Sequence, residues 1–239
     1  MKSEHRMNKV DHAIIMAAGL GNRMLPVTKT IPKPMIRVNG RRMIDTVIEG
    51  LHKNGIRKIY IVVGYLKEQF ETLVTEYPGV RLIENPLYDT CNNISSLYVA
   101  RDYIGNAIIL DGDQIIYDDS VLNPEYELSG YNCVWTEDET DEWLMSVENG
   151  VVCDCSRTGG KCGWQLYSIS RWSNADGEKL KKHLEYEFDE MKNRDIYWDD
   201  VAMFCHRDEY ELGIYPMKKG SVVEIDSYKE LVNIDSSYS

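Results

Sequence analysis

Hydrophobic residues fall into a regular alternation along the first half of the chain. HAIIMA (12–17) is a continuous apolar run closed by a small-residue turn, as in a strand buried on both faces. In residues 42–54, Met43, Ile44, Val47, Ile48 and Leu51 recur at helical spacing, and Gly55 stops the pattern. IRKIYIVVGY (56–65) predicts a second strand, 67–76 a helix, VRLIEN (80–85) a third strand and Asn92 to Tyr103 another helix. AIILDGD (107–113) predicts a fourth strand ending in carboxylates. Strand alternating with helix implies βαβ units and a parallel sheet.

The second half reads differently. YNCVWTED (131–138), EWLMSVENG (142–150), VVCDCS (151–156) and GWQLYSIS (163–170) are short strand patterns with turn signals between them. They predict a small antiparallel, lid-like extension at about 131–170. A charged helix at roughly 176–193, a helix over 197–204, a strand near LGIYPM (212–217) and VVEID (222–226) before a final helix complete the pattern. With no repeat and no linker-like stretch, the expectation is one α/β domain over 12–239 behind a polar tail at 1–11.

Charge narrows the partners. The net charge is −12, which argues against a general binder of nucleic acid or anionic membrane. No apolar run is long enough to span a bilayer, and MKSEHRMNKVDH lacks the apolar core of a secretory signal. A cytoplasmic protein is expected, with its six cysteines as reduced thiols. Among these, Cys153, Cys155 and Cys162 match no standard zinc spacing.

Against that acidic background, one cationic segment stands out. MAAGLGNRMLPVTKTIPKPM (16–35) follows the first strand directly. In open parallel sheets ligands bind at the carboxyl ends of strands. The backbone of Ala17, Ala18, Gly19 and Gly21 can approach a ligand closely, and its amides can hold phosphate oxygens. Arg23 and Lys33 add fixed positive charge. The segment is neither a GxxxxGK(S/T) phosphate loop nor a GxGxxG turn. By itself it reads equally as a solvated βα loop.

Two carboxylate pairs follow the same logic. Asp111 and Asp113 end the fourth strand, and residues i and i+2 share a face. Paired carboxylates there can hold Mg²⁺, or simply form an Asp-Gly turn. Glu224 and Asp226 repeat the spacing near the C-terminus, where Asp226 also reads as a helix-start residue.

AAGLGNRM (17–24) followed by PKPM (32–35) resembles the signature of nucleotidyltransferases with the sugar-nucleotide pyrophosphorylase fold. The resemblance implies a Rossmann-like, mostly parallel sheet flanked by helices, of the nucleotide-diphospho-sugar transferase type. It implies that the Gly-rich loop grips a nucleoside triphosphate whose phosphates Arg23 and Lys33 neutralise. It also implies Asp113 and Asp226 as ligands of one Mg²⁺, with Asp111, Asn92 and Asn93 on the nucleotide. GYLKEQF (64–70), NNISSLY (92–98), Glu142-Trp143 and YWDD (197–200) further resemble the bacterial CTP:phosphocholine cytidylyltransferases. That likeness runs from about residue 12 to 235 and is patchier between 150 and 195. The Asn-Asn-x-x-Ser-Leu element also occurs in aminoalkylphosphonate cytidylyltransferases, so it speaks for cytidylyl transfer more than for choline.

Choline cannot donate hydrogen bonds, so its recognition needs aromatic faces and a carboxylate. The chain holds five tryptophans and sixteen tyrosines against three phenylalanines. Glu142 and Trp143, with Tyr197, Trp198 and Asp199, are the expected cage, the aromatics reading otherwise as packing residues. Trp135 and Trp164 are expected to be structural. Residues 151–165 depart from the family pattern, leaving phosphoethanolamine, 2-aminoethylphosphonate or a sugar 1-phosphate open as acceptors. Small-molecule substrates and a monomer or homodimer complete the expectation.

Overall fold

The computed structural model describes residues 7–239, so most of the expected polar tail lies outside the described residues. In chain order the first elements are β1 (Asn8–Lys9), β2 (His12–Ala17), β3 (Arg37–Val38), β4 (Arg41–Arg42), α1 (Met43–Lys53) and β5 (Ile59–Val63). Next come α2 (Glu71–Glu76), β6 (Val80–Glu84), α3 (Ile94–Val99), β7 (Ala107–Asp111), β8 (Gln114–Ile116) and β9 (Glu125–Tyr126). The second half adds β10 (Gly130–Thr136), β11 (Leu144–Glu148), β12 (Val151–Ser156), β13 (Gly163–Trp172) and α4 (Asn174–Glu185). It closes with α5 (Trp198–Asp200), β14 (Gly213–Pro216), β15 (Val222–Glu224) and α6 (Tyr228–Ile234). Asn8 and Lys9, expected in the tail, pair with Tyr126 and Glu125.

The βαβ pattern gives a parallel block in the order β7-β2-β5-β6 within a nine-stranded mixed sheet. β2 is buried along its whole length because both of its faces are covered. Ala13, Ile15 and Ala17 pack with Ile44, Val47, Ile48 and Leu51 of α1, the stripe visible in the sequence. Ile14 and Met16 face the other layer, with Ile94 and Leu97 of α3 and Leu180 and Leu184 of α4.

β13 joins the two halves. On one side it pairs antiparallel with β10 from Gly130↔Arg171 to Thr136↔Gly163. On its other side residues 169–172 pair with β7, while Trp164 and Gln165 pair with β11. The β-rich segment is thus hydrogen-bonded into the main sheet. Two expected helices are shorter or irregular. Only Ile94–Val99 of the 92–103 segment is α-helical, and α4 runs on into a π-helical turn at Tyr186–Glu190. The helix beginning at α5 likewise continues as a π-helical turn at Val201–Cys205.

A third, smaller cluster lies beneath the Gly-rich loop: Met24, Ile36, Val38, Met43, Ile115, Ile225 and Leu231. Met24 and Ile225 are fully buried. They neighbour Arg23 and Asp226 in sequence, and Ile115 lies two positions from Asp113. Apolar burial here is what brings charges from three distant segments to one place.

Candidate active site

The loop after β2 descends through short 3₁₀ turns at Asn22–Met24, Val27–Lys29 and Lys33–Met35. Gly21 begins this course with φ of 64°, and the Thr28 hydroxyl donates to its carbonyl at 2.9 Å. A Cβ at Gly21 would come within 2.8 Å of the Thr28 methyl and 3.2 Å of Lys33 Cβ. Glycine is therefore required both for the left-handed backbone and for the close approach.

Lys33 is buried, and its Nζ stands 2.6 Å from Asp113 Oδ2 and 2.8 Å from Asp226 Oδ1. Arg23, largely exposed, reaches the same Asp226 oxygen at 3.1 Å. Burial alone would pull the Lys33 ammonium down, but the two carboxylates outweigh it and hold it above its ordinary value. Burial would push the Asp226 carboxyl up, yet Lys33 and then Arg23 hold it below the usual range. The neighbouring acids behave oppositely. Burial, reinforced by Asp113 and Glu224, raises Asp111 well above its usual value. Burial and the Asp113 charge push Glu224 up to about 7, although Gln114 Nε2 donates to Glu224 Oε1 at 2.7 Å.

Two cavities meet at this centre. One, of about 310 Å³, is lined by Met16–Gly19, Gly21–Arg23, Lys33, Pro34, Asn93 and Ser96 together with Asp111, Asp113 and Asp226. The other, of about 530 Å³, shares Arg23, Asn93, Asp111, Asp113 and Asp226, then runs out past Asp141, Glu142, Trp143, Tyr197 and Asp199. Ala17, Ala18, Gly19, Gly21, Arg23, Lys33, Asp111, Asp113, Asp226 and Asn93, named together only by the family resemblance, line the first of these cavities. A side pocket of about 150 Å³ adds Asn85, Tyr88, Asn92 and Ser95 beside Ala18 and Gly19. Asn92 and Asn93 also tie the turn before α3 to the segment leading into α5: Asn92 Nδ2 donates to the Asp195 carbonyl, and Asn93 Oδ1 accepts from the Trp198 amide at 2.9 Å.

The acceptor-side expectation needs one correction. Trp198 is 3% exposed, stacked near Tyr131 with centroids 6.3 Å apart and edge-on to Trp172 at 6.0 Å. It belongs to the core under α4, because the helix beginning at Trp198 buries that face. Trp143 and Tyr197 do meet, edge to face, at 5.9 Å, and Phe204 lies edge-on to Trp143 at 5.3 Å. Trp135, expected to be structural, is 48% exposed, meets Trp164 edge to face and lines neither cavity.

Several lining residues carried no signal in the sequence. Arg157, from the unaligned 151–165 stretch, donates from Nε to Asp200 Oδ1 at 2.6 Å and lies 3.6 Å over the Phe204 ring. Ser168 and Leu166 reach the larger cavity from β13, while Glu224, visible in the sequence as the partner of Asp226, reaches it from β15. The pattern of Leu166 and Ser168 is ordinary strand alternation, so only the fold reveals those two. Burial pushes Asp199 up to about 7, against the hydroxyl of buried Tyr131 beside its carboxylate, which pulls it down. Cys153, Cys155 and Cys162 are free, and no helix among the described residues is long and apolar enough to cross a membrane.

A site of this form can hold a polyphosphate on the loop side and a small acceptor on the other, with a cation-ready cluster of carboxylates between them. The nucleotidyl transferase family profile matches residues 12–124. The chain is 38% identical over 229 residues to the 2-aminoethylphosphonate cytidylyltransferase of Lancefieldella rimae, covering 95% of this chain and 93% of that protein. It is 34% identical over 218 residues to the choline-phosphate cytidylyltransferase of Streptococcus pneumoniae, covering 91% and 94%. The solved structure of CTP:phosphocholine cytidylyltransferase from Streptococcus pneumoniae superposes with a TM-score of 0.88 at 33% identity, covering 97% of this chain and all of that one. The chain belongs to the nucleotidyltransferase family, in the branch of bacterial cytidylyltransferases that these relatives represent.

Proposed function

We propose that this cytidylyltransferase transfers CMP from CTP to phosphocholine, in the cytoplasm, giving CDP-choline and pyrophosphate. The observation that carries the reading is the Trp143–Tyr197 corner, set among Asp141, Glu142 and Asp199 at the far end of the larger cavity. Aromatic faces with nearby carboxylates suit a quaternary ammonium. Glu142 and Asp199, rather than Trp198, supply the rest of that wall.

The acceptor phosphate is already anionic, so the reaction needs no general base. Its oxygen attacks the α-phosphorus, a new P–O bond forms, and the bond to the β-phosphate oxygen breaks, releasing pyrophosphate. The loop amides from Ala17 to Gly21 hold the triphosphate, and Asn92, Asn93 and Asp111 border the nucleoside. Lys33 and Arg23 balance the charge that grows on the α-phosphate and the leaving group, as preorganised cations do in a cleft of low polarity. Asp113 and Asp226 fit Mg²⁺: they are hard oxygen donors converging on a single point, where the Lys33 ammonium already balances both. Mg²⁺ bound there would act as a Lewis acid toward the phosphate oxygens.

A second reading has its own support. The Asp141 and Glu142 carboxylates on that wall can accept an N–H bond, which choline cannot offer and a primary amine can. With Trp198 withdrawn into the core, the aromatic wall is also thinner than a full cage. 2-Aminoethylphosphonate or phosphoethanolamine then becomes the acceptor.

The deciding experiment is pyrophosphate release with Mg²⁺, crossing the four nucleoside triphosphates against phosphocholine, phosphoethanolamine, 2-aminoethylphosphonate and glucose 1-phosphate. CTP with phosphocholine as the best pair is expected. CTP with a primary-amine acceptor would replace the first reading by the second. Activity confined to UTP or dTTP with glucose 1-phosphate would overturn both.

A further inference from the structure

Two histidines and a glutamate form a cluster that lines neither of the two main cavities. His183 lies in the last turn of α4, His206 follows the π-helical turn Val201–Cys205, and Glu209 ends the next 3₁₀ turn. The two imidazoles stack with centroids 3.8 Å apart and planes 9° from parallel.

Each ring has one nitrogen already held. His183 Nδ1 meets the Tyr210 hydroxyl at 2.8 Å, and His206 Nε2 meets Glu187 Oε1 at 2.9 Å. Glu187 is buried, and its other oxygen accepts from Asn193 at 2.5 Å. A buried carboxylate on Nε2 favours the proton there and leaves the His206 Nδ1 lone pair bare. That lone pair faces Glu209 Oε1 at 3.6 Å, while His183 Nε2 faces Glu209 Oε2 at 3.4 Å. Neither separation is a normal hydrogen bond. With Tyr210 accepting from His183 Nδ1, His183 Nε2 would present a lone pair too, and a cation among the three groups would replace these long contacts as the stacked rings turn toward it.

One donor atom from each residue lies within 4.8 Å of the others. Two imidazole nitrogens and one carboxylate, each imidazole anchored from behind, make the donor set of an open zinc-type site. Mg²⁺, which prefers an all-oxygen shell, is a poor match. We propose that His183, His206 and Glu209 bind a divalent transition ion of the zinc class, separate from the carboxylate centre at Asp113 and Asp226. Such an ion would tie α4 to the helical segment that carries Tyr197 and Asp199.

The test is equilibrium dialysis of the full chain against Zn²⁺ in excess Mg²⁺, with metal content read directly and compared with a His183→Gln/His206→Gln double variant. The comparison is needed because exposed thiols such as Cys153 and Cys205 also take zinc. Expected is one Zn²⁺ more per chain in the native protein than in the double variant. Co²⁺ substitution should give a d–d spectrum without a thiolate charge-transfer band. Glu209→Gln, at a largely exposed side chain, keeps the fold and should weaken binding tenfold or more, in line with losing one ligand. Equal zinc uptake by native and variant chains, or a thiolate band that carries the cobalt signal, would overturn the site.

Discussion

The Lys33 ammonium lies 2.6 Å from the Asp113 carboxylate, joining the Gly-rich loop to the turn after β7. A cation that is buried yet held firmly charged suits developing phosphate charge, because it needs no reorganisation when that charge appears. Lys33→Ala should lower turnover by about two orders of magnitude or more, typical of losing one transition-state contact. Pyrophosphate release and circular dichroism on the same sample check this. Turnover near that of the native chain, with the fold intact, would remove Lys33 from the chemistry.

Asp113→Asn and Asp226→Asn remove opposite sides of the oxygen pair around Lys33. Each should cost roughly a hundredfold in turnover and raise the Mg²⁺ concentration needed for half-maximal rate. A Mg²⁺ titration of each variant decides it. An unchanged Mg²⁺ requirement in both would place the ion elsewhere.

Acidity should be visible in stability. Glu224 and Asp199 are pushed up to about 7, and Asp111 is raised as well. A carboxyl whose folded pKa exceeds its unfolded value of about 4 binds more protons in the fold, so stability falls as pH rises from about 4 to about 7. Asp226 has the opposite sign, but its stabilisation is lost only as pH falls below the ordinary carboxylate range. His12, His52 and His183, lowered by burial, act in the opposite direction over the same range, so the readout is the effect of removing one carboxyl. From pH 5.5 to pH 7.5 the metal-free native chain should lose more melting temperature, or gain less, than Glu224→Gln does. Thermal melts of both in chelator give the answer, and identical pH profiles would contradict the burial argument.

Trp143 and Trp198 should separate acceptor binding from packing. Trp198→Ala removes a side chain 3% exposed among Tyr131 and Trp172, and should cost about 3–5 kcal/mol of stability. Trp143→Ala should instead raise the acceptor KM about tenfold, as expected for a cation–π contact with an enclosed ammonium, and leave the CTP KM unchanged. Denaturant melts beside steady-state kinetics distinguish them. Equal loss of stability in both, with acceptor KM untouched, would remove Trp143 from the site.

Much of this arrangement was legible in the residues because it depends on local repeats. The apolar run of β2, the helical stripe of α1 and the Gly-rich loop each declare themselves within a few positions. The convergence of Arg23, Lys33, Asp113 and Asp226 was readable only through family likeness, since Lys33 and Asp226 are separated by most of the chain. Trp198 misled because a Tyr-Trp-Asp-Asp string looks the same whether its tryptophan faces a ligand or a core. Burial there is decided by Tyr131 and Trp172, which local sequence does not place beside it. Arg157 and Ser168 were invisible for the same reason. Ser168 enters the cavity from β13, placed by its pairing with β7, and Arg157 from the turn after β12.

The pairing of β13 with both β7 and β11 has an evolutionary consequence. β13, joined to the parallel block through β7, also sends Leu166 and Ser168 into the larger cavity, so both cavities are built on one sheet. Under the proposed function, substitutions at Trp143, Arg157 or Tyr197 would change the accepted headgroup while leaving Lys33, Asp113 and Asp226 in place. A lineage would then exchange one small phosphorylated or phosphonylated acceptor for another while keeping the same transfer residues. Relatives of similar length whose names specify different acceptors fit that inheritance.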